Sequence, residues 1–474
     1  MPNIFFITIF SVLFAGLTWY QFRIGLCLLF LLLPTYLIRF SIGSIPTTLL
    51  EMMVFIVFGV WIIKTWNTTH RTWNKLTSLV NQHRSLFIAI GLFLLGATIS
   101  VFTAVNMRAA VGEWKAFYVE PVLLFFVLIT TICHLEQSGA EPKDLDKSRR
   151  KLFERIIDII RNDSVQLQLL IFALVLLGLA TGILATIQHF TGWLVPWDFW
   201  ENGGSYRVTG WYGFPNGVGL FLAPTALLIL YMFFTNFLTK TKTSFSYGKL
   251  GVGLLAFIFS LLGIVFAKST GGLIGVVAGI GLLLIFYNKI RWPVIVLGLL
   301  AIVGVFSLPS HNSIRQELLA QNRSGQLRVD MWAEATQYLS EHPIRGAGLA
   351  SYKTVIYPYR MDKWIEVFHH PHNLFLTIWV NTGLIGLIGF VWVLVWFYRV
   401  GLSFIMKHKK KDISTNTNHL LVLFLLATMT SILVTGLVDS PYIKNDYSLL
   451  FWFLVAGMVL ATTQEKKSTH HLSY

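Results

Sequence analysis

The stretch NLFLTIWVNTGLIGLIGFVWVLVWFY, residues 373–398, contains no charged side chain. An apolar run of roughly 17–25 residues is long enough to cross a bilayer as a helix. The chain of 474 residues is 55% hydrophobic and only 12% charged, whereas soluble domains carry about 25% charged residues. Because backbone groups in the hydrocarbon must pair within their own segment, this composition predicts an all-α polytopic membrane protein.

Similar apolar runs recur along the chain and predict 12 to 14 transmembrane helices. We expect no cleaved signal, because the N-terminal apolar run lacks a preceding basic segment. The predicted spans are 4–20, 22–38, 47–64, 86–103, 117–133, 167–190, 213–237, 250–267, 271–288, 293–309, 373–398, 419–437 and 446–462.

The spans divide the chain into four predicted regions. These are N-terminal helices with a basic loop (1–166), central helices (167–309), a large loop with an amphipathic helix (310–371), and C-terminal helices with a tail (372–474). The basic loop, 134–166, is predicted to form a charged helix at the membrane surface. It contains Asp144 and Asp146, which could resemble a metal-binding pair but are better interpreted as part of a solvated charge run.

Lysine and arginine are distributed unevenly between alternate loops. One face has 24 of the 37 basic residues and 9 of the 22 acidic ones, which accounts for the whole net charge of +15. By the positive-inside rule this face is cytoplasmic. The high pI therefore requires no nucleic-acid partner, and the basic excess favours contact with anionic membrane lipid.

The loop 310–371 lies on the opposite, external face. Its segment SGQLRVDMWAEATQYLSEHP (324–343) predicts a helix with Ser324 as N-cap and Pro343 as its end. Apolar residues form one stripe at helical spacing: Leu327, Met331, Ala335, Tyr338 and Leu339. Long patterned loops are usually functional, so we expect part of the site here. Glycines in 271–281 and at 383, 386 and 389 predict close helix packing.

Four cations fall at external helix ends or in the external loop: Arg207, Lys268, Arg323 and Arg328. Each could simply anchor the chain at lipid headgroups. Together they suit phosphate binding, because arginine presents a planar fork to phosphate oxygens. Charges at the mouth of a membrane bundle point to function by default.

Three histidines, His369, His370 and His372, precede the span that begins at residue 373. A metal site is disfavoured, because Pro371 interrupts the helical spacing and no acid or cysteine lies at ligand spacing nearby. Asn373 is a good helix N-cap. A histidine at this position can take a proton from a hydroxyl, so histidine and cations together suit transfer from a phosphate-activated donor to a hydroxyl.

The order of these motifs resembles the O-antigen ligase family. His372-Asn373 followed by Gly383 and Gly386 is similar to that family's histidine block. The external helix with its Pro–Gly–x–Gly turn resembles the arginine block, on Arg328, Trp332, Pro343, Gly346 and Gly348. RVTGWYGFPN, from Arg207 to Asn216, is similar to an upstream block. The resemblance covers roughly residues 170–400.

The resemblance implies a membrane glycosyltransferase, a relative of O-antigen ligases, polysaccharide polymerases and protein O-oligosaccharyltransferases. Such an enzyme moves a glycan from a polyprenyl (undecaprenyl) diphosphate carrier to a glycan, lipid or protein acceptor at the outer, periplasmic face of the cytoplasmic membrane. It needs neither a metal nor another cofactor, and it inverts the anomeric carbon. By position, His372 is the general base and Arg328 engages the diphosphate, and Arg207, Lys268, Arg323 and Asn373 contribute to substrate binding.

One position departs from the family pattern. Thr270 stands where the family usually has arginine, in the sequence Lys268-Ser269-Thr270-Gly271. Lys268 is the residue that can replace the missing charge, although lysine lacks the bidentate fork.

A rival interpretation is a transporter of lipid-linked sugars. Transporters often contain internal repeats and charge pairs inside the membrane, and neither is evident here. Glu51 and Glu120 are the acids nearest to the apolar spans, and we interpret both as interfacial residues near helix starts.

Overall fold

The computed structural model describes residues 4–43, 45–66, 69–132, 163–196, 206–238, 244–364, 367–407 and 417–470. The predicted surface helix in 134–166 therefore lies outside the described residues apart from its last four positions. Residues 163–166 belong instead to a long membrane helix, Asp163–Thr191.

The described chain is a bundle of helices. The N-terminal elements are α1 Ile4–Tyr20, α2 Phe22–Leu31, β1 Arg39–Ile42, β2 Ile45–Thr48, α3 Leu49–Trp66, α4 Thr69–Gln82, α5 Arg84–Phe102, α6 Met107–Glu113 and α7 Glu120–Thr131. The later helices are α8 Asp163–Thr191, α9 Pro215–Leu238, α10 Ser244–Phe266, α11 Thr270–Ile285, α12 Arg291–Ser307, α13 Ser313–Leu318, α14 Arg323–Glu341, α15 Tyr352–Val355, α16 Leu374–Lys407, α17 Thr417–Thr435 and α18 Asn445–His470.

The prediction of an all-α polytopic membrane protein is confirmed. In the part of the chain that the structure describes, eight helices are long and apolar enough to cross a membrane. Five shorter apolar helices of 10–17 residues correspond to the remaining predicted spans. The predicted span 22–38 is wrong as a continuous helix: α2 ends at Leu31, and a short 3-10 helix, Leu33–Leu37, leads into the hairpin of β1 and β2. Pro34 cannot donate a helical hydrogen bond, which explains the break.

The hairpin pairs its two strands antiparallel, with Arg39 opposite Thr48 and Ile42 opposite Ile45. It leads into α3, where Glu51 is buried and its Oε2 lies 2.7 Å from Lys115 Nζ. Glu120 is also buried, within a helix that runs continuously from Met107 to Thr131. Glu120 is the first residue of α7, but the expectation that it lies at the interface is wrong, because a π-helical turn, Trp114–Val119, joins α6 to α7 and places Glu120 inside one continuous helix.

Glycines bring neighbouring helices into close contact, as predicted. A Cβ on Gly96 of α5 would lie 2.3 Å from the Gly386 nitrogen of α16. On α11, a Cβ on Gly275 or Gly279 would lie 3.0 Å from a backbone oxygen of α17. Real Cβ atoms essentially never approach as closely as 2.3 Å, and 3.0 Å is tighter than nearly all real Cβ contacts, so glycine at these positions lets the helices pack closely.

The external-loop helix α14 exists as predicted, but its cap differs. The side chain of Asn322 accepts a hydrogen bond from Gly325 N at 2.7 Å, so the N-cap is Asn322 rather than Ser324. Ala335, Tyr338 and Leu339 are buried, whereas Leu327 and Met331 are only half-buried. The buried three belong to a small core that also contains Tyr352 and Val380, which anchors the loop to α16.

A turn in the loop inserts its backbone at a break in α16. Gly383 has φ 65° and ψ −174° inside this helix. Leu384 N donates to Ile344 O at 2.9 Å, and Ala347 N donates to Val380 O at 2.7 Å. The backbone groups released by the break are thus satisfied by the turn after Pro343, and α14 is fixed relative to α16.

Four connecting segments meet at one end of the bundle. Leu374 N donates to Gly436 O at 2.7 Å, which joins the start of α16 to the connection between α17 and α18. Arg328 of α14 donates to Val438 O at 2.8 Å. Arg207 donates to Ala267 O at 2.8 Å. The residues that the sequence placed on the external face are therefore held in contact.

Candidate functional site

The site is centred on a histidine and an aspartate from different connections. His372 Nδ1 lies 3.1 Å from Asp439 Oδ1. The same oxygen accepts a hydrogen bond from Ser440 N at 2.8 Å. An ionised carboxylate only accepts hydrogen bonds, so Nδ1 of His372 carries a proton, and in the neutral imidazole Nε2 then keeps its lone pair. This is the tautomer that a general base requires.

The second oxygen of Asp439 continues the network to an arginine. Asn216 Nδ2 donates to Asp439 Oδ2 at 2.9 Å. Asn216 Oδ1 in turn accepts from Arg207 Nη2 at 2.9 Å. Asn216 lies in the first turn of α9 and Arg207 just before it, so one segment supplies both residues. A continuous chain of hydrogen bonds therefore links His372 to a guanidinium.

Electrostatics in the network favour an ionised Asp439. Burial alone would raise the pKa of Asp439, but the charge and hydrogen bond of His372, together with His370 and Arg328, hold that pKa well below its usual range. Burial, and then the positive charge of Arg328, lower the pKa of Arg207. The proximity of two like charges is costly unless an anion lies between them.

A cleft of about 280 Å³ opens beside this network. Arg207, Lys268 and Arg328 line it, and Asp439 and Trp332 line it near His372. In addition, Trp332 Nε1 donates to His372 O at 3.3 Å. Three of the four predicted cations thus surround one cavity. Arg323 is exposed and is not among the lining residues, although its neighbours Asn322 and Ser324 are.

Arg328 uses only part of its guanidinium within the protein. Its Nε donates to Val438 O at 2.8 Å and its Nη1 donates to Ser324 Oγ at 2.9 Å. Among the described residues, Nη2 has no hydrogen-bond partner. The protein therefore fixes the orientation of the Arg328 fork and leaves donors available at the cleft.

His372 and the cleft residue Lys268 have backbones in the left-handed region. His372 has φ 49° and Lys268 has φ 48°. This conformation is uncommon for residues other than glycine and clusters at functional sites. Thr270, at the position where the family usually has arginine, lines the cleft and its hydroxyl donates to Glu317.

Asn373 acts as the predicted helix cap. Its Oδ1 accepts from Leu376 N at 3.0 Å, and its Nδ2 donates to Leu437 O at 3.0 Å. Both ends of the amide are therefore engaged by the protein, and Asn373 positions the start of α16 directly behind His372.

His370 supports the His372 ring. Their ring centroids are 4.7 Å apart, and His372 N donates to His370 Nδ1 at 3.4 Å. Burial, and then the charge of His372, lower the pKa of His370 to about 3, so His370 is neutral. His370, His372 and Asp439 offer ligand atoms within 4.8 Å of one another, a set that could hold a cation. Asp439, which is distant in sequence from the histidines, supplies the carboxylate of this set.

Sequence reasoning missed Asp439 as a site residue. The sequence does contain an indication, because Asp439 is an acid in the short turn GLVDSPY between two apolar spans. A charge at such a helix mouth is a functional hypothesis by default. Nothing in the sequence, however, pairs that turn with His372.

Comparison with known proteins agrees with this architecture. The family model Wzy_C, described as O-Antigen ligase, matches residues 255–391. A Haemophilus influenzae protein named "Uncharacterized protein" is 24% identical over 293 residues, covering 57% of this chain and 68% of that protein. A Rickettsia conorii protein named "Putative polysaccharide ligase" is 34% identical over 107 residues, covering 21% of this chain and 26% of that protein.

The fold and site define a multi-pass, all-α membrane protein with a histidine, a carboxylate and several arginines gathered at one end of its bundle. The match over residues 255–391 and the similarity to the Rickettsia conorii protein support the O-antigen ligase family for this part of the chain. That family consists of ligase- or glycosyltransferase-type enzymes, whose substrates are in general glycans and lipid-linked molecules.

Proposed function

We propose that this protein transfers a glycan from a polyprenyl diphosphate carrier, such as undecaprenyl diphosphate, to a hydroxyl acceptor at the outer face of the cytoplasmic membrane. The observation that carries the proposal is the hydrogen-bonded chain from His372 through Asp439 and Asn216 to Arg207, beside a cationic cleft. This arrangement places a candidate general base, His372, next to cations that can bind the leaving diphosphate.

The reaction is a single displacement that inverts the anomeric carbon. His372 Nε2 takes the proton of the acceptor hydroxyl, and that oxygen forms a bond to the anomeric carbon. The bond from this carbon to the carrier diphosphate breaks on the opposite face. Asp439 stabilises the imidazolium that forms, through the 3.1 Å contact at Nδ1.

Charge develops on the departing diphosphate. The guanidinium groups of Arg328 and Arg207 stabilise this negative charge. Lys268, at the exposed wall of the cleft, contributes a third positive charge. Arg323 lies outside the cleft lining and acts at its rim, and Asn373 acts by positioning α16. Preorganised donors of this kind contribute more to the transition state than to the ground state, because the charge on the leaving group grows during the reaction.

The chemistry proposed for this site is independent of metal ions. A base and fixed cations are sufficient for the displacement, and the three possible ligands include the proposed base and its carboxylate partner. Transfer is therefore expected to continue in EDTA.

The test uses full-length protein in lipid nanodiscs with a polyprenyl diphosphate-linked oligosaccharide. Transfer by the wild-type protein in EDTA, with inversion at the new linkage, supports the proposal. Retention of configuration or loss of transfer in EDTA contradicts it. With the carrier-linked glycan alone, chain extension identifies a polymerase. Transfer only after a lipid or protein acceptor is added identifies a ligase or a protein oligosaccharyltransferase.

A further inference from the structure

A second pocket lies on another face of α14. Four of its lining residues come from that helix: Leu327, Asp330, Met331 and Glu334. The opposite wall is formed by residues within 352–362 and by 367–368, including Tyr352 and Phe368. Ser324, Gly325, Arg328 and Trp332 of the same helix line the cationic cleft instead. The helix α14 thus separates two cavities of different chemistry.

One lining residue of each cavity contacts His372. Trp332 lines the cationic cleft and donates to the His372 carbonyl at 3.3 Å. Phe368 lines the second pocket, and its ring packs edge-on against the His372 imidazole with centroids 5.2 Å apart. A molecule seated in the second pocket would therefore contact Phe368, which packs against the proposed base, without entering the cationic cleft.

The charges of the two cavities differ in sign. The cationic cleft is lined by three basic side chains and two acidic ones. The second pocket is lined by one basic side chain, Arg360, and three acidic ones, Asp330, Glu334 and Asp362. A diphosphate is favoured in the first and disfavoured in the second. An uncharged molecule rich in hydroxyl groups suits the second, because carboxylates accept hydrogen bonds from hydroxyls.

The second pocket has an available acceptor group. Among the described residues, Asp330 makes no hydrogen bond or ion pair. Glu334 is buried and its Oε1 accepts from Met361 N at 2.8 Å, which holds the opposite wall against α14. The pocket volume of about 30 Å³ admits one group of the size of a water or a hydroxyl. The aromatic faces of Tyr352 and Phe368 supply the apolar contact that a sugar ring favours.

We propose that the second pocket is the acceptor subsite, which takes one hydroxyl of an uncharged sugar residue, with Asp330 as a binding residue. This inference rests on the proposed function and specifies its acceptor: a neutral glycan end, whether carried by a second diphosphate-linked chain or by another membrane glycolipid. The donor and the acceptor sugar then approach His372 from opposite sides of α14.

The experiment measures initial rates for the full-length protein in nanodiscs, varying donor and acceptor separately. The two acceptors are a polyprenyl diphosphate-linked oligosaccharide and a glycolipid without diphosphate, each with an uncharged terminal sugar. The variants are Asp330→Ala, Asp330→Glu and, as a control on the same helix outside the pocket, Glu341→Gln. We expect Asp330→Ala to raise the acceptor KM about tenfold or more, since it loses a hydrogen bond to a charged group. The donor KM should stay unchanged.

Asp330→Glu should recover part of the acceptor affinity, and Glu341→Gln should behave as wild type. An unchanged acceptor KM in Asp330→Ala overturns the subsite, as does an equal rise in both KM values, which would indicate a structural role. These outcomes are separable from failure of the proposed function, since that failure would appear as undiminished transfer in His372→Ala. The acceptor used by the wild-type protein distinguishes the two sources of the sugar.

Discussion

His372 Nδ1 and Asp439 Oδ1 lie 3.1 Å apart although 67 positions separate the two residues in the chain. Each comes from a connection at the same end of the bundle, before α16 and after α17. The Leu374 N to Gly436 O hydrogen bond at 2.7 Å fixes one connection against the other. The pair is therefore set by the helix packing and does not depend on a flexible loop.

Asp439→Asn tests the function of this pair. The amide keeps the shape of the side chain but loses the charge that stabilises an imidazolium, so we expect kcat to fall by roughly 10²–10⁴-fold. The donor KM should change little, since Asp439 is acidic and does not bind the diphosphate. Steady-state kinetics of the purified variant provide the measurement. A wild-type kcat would show that Asp439 only holds the turn.

Arg328→Ala tests donor binding and leaving-group stabilisation. We expect the donor KM to rise and kcat to fall by about 10²–10³-fold, because the guanidinium meets charge that grows in the transition state. Arg328→Lys should be intermediate, since lysine lacks the fork. Ser324→Ala is the control, because it removes one partner of Arg328 and leaves the cation. If the donor KM and kcat are unchanged in Arg328→Ala, Arg328 serves only to join α14 to Val438.

The replacement of a family arginine by Thr270 can be tested by reversion. Lys268→Ala should raise the donor KM, because Lys268 is a cation of the cleft wall. Adding Thr270→Arg to that variant should lower the donor KM again, since residue 270 lines the same cleft. Donor-dependent initial rates at low and high salt provide the measurement. If the donor KM of the double variant is as high as that of Lys268→Ala, an arginine at position 270 cannot replace Lys268 in donor binding.

Gly383→Ala tests the break in α16. A Cβ at Gly383 would lie 2.2 Å from Ile344 O, in a backbone with φ +65°. Left-handed strain alone costs on the order of 1–3 kcal/mol, and the steric overlap adds to it. We expect a clear loss of thermal stability in detergent together with reduced transfer. Gly298→Ala is the control, because nothing lies within 4 Å of a Cβ at that helical position.

Local sequence patterns predicted much of the molecule. The apolar runs predicted the positions of the helices. The His372-Asn373 pair at the start of one run predicted both a candidate base and a helix cap. The external helix was recognised from its stripe, although its cap is Asn322 because the helix begins one residue before Ser324. The prediction of a continuous helix over 22–38 was wrong, because Pro34 prevents the α-helix from continuing. The long apolar run around Pro34 does not reveal this helix end.

Contacts between distant segments were not predictable in this way. Asp439 and Asn216 belong to turns that show no unusual local pattern, and only the packing of α9, α16 and α17 brings them to His372. Glu120 was expected at the interface, but a π-helical turn continues its helix back to Met107 and its side chain is buried. A single sequence reports local propensity and periodicity well, whereas side-chain pairs across the bundle depend on tertiary packing.

Single-turnover transfer by His372→Ala tests the central claim most directly. Full-length wild-type and variant proteins in nanodiscs are loaded with labelled donor, and donor binding is measured in the same samples. We predict that the variant binds donor with wild-type affinity and keeps its thermal stability, while the rate of glycan transfer falls by at least about 100-fold. Transfer by His372→Ala at a rate close to wild type would contradict the account.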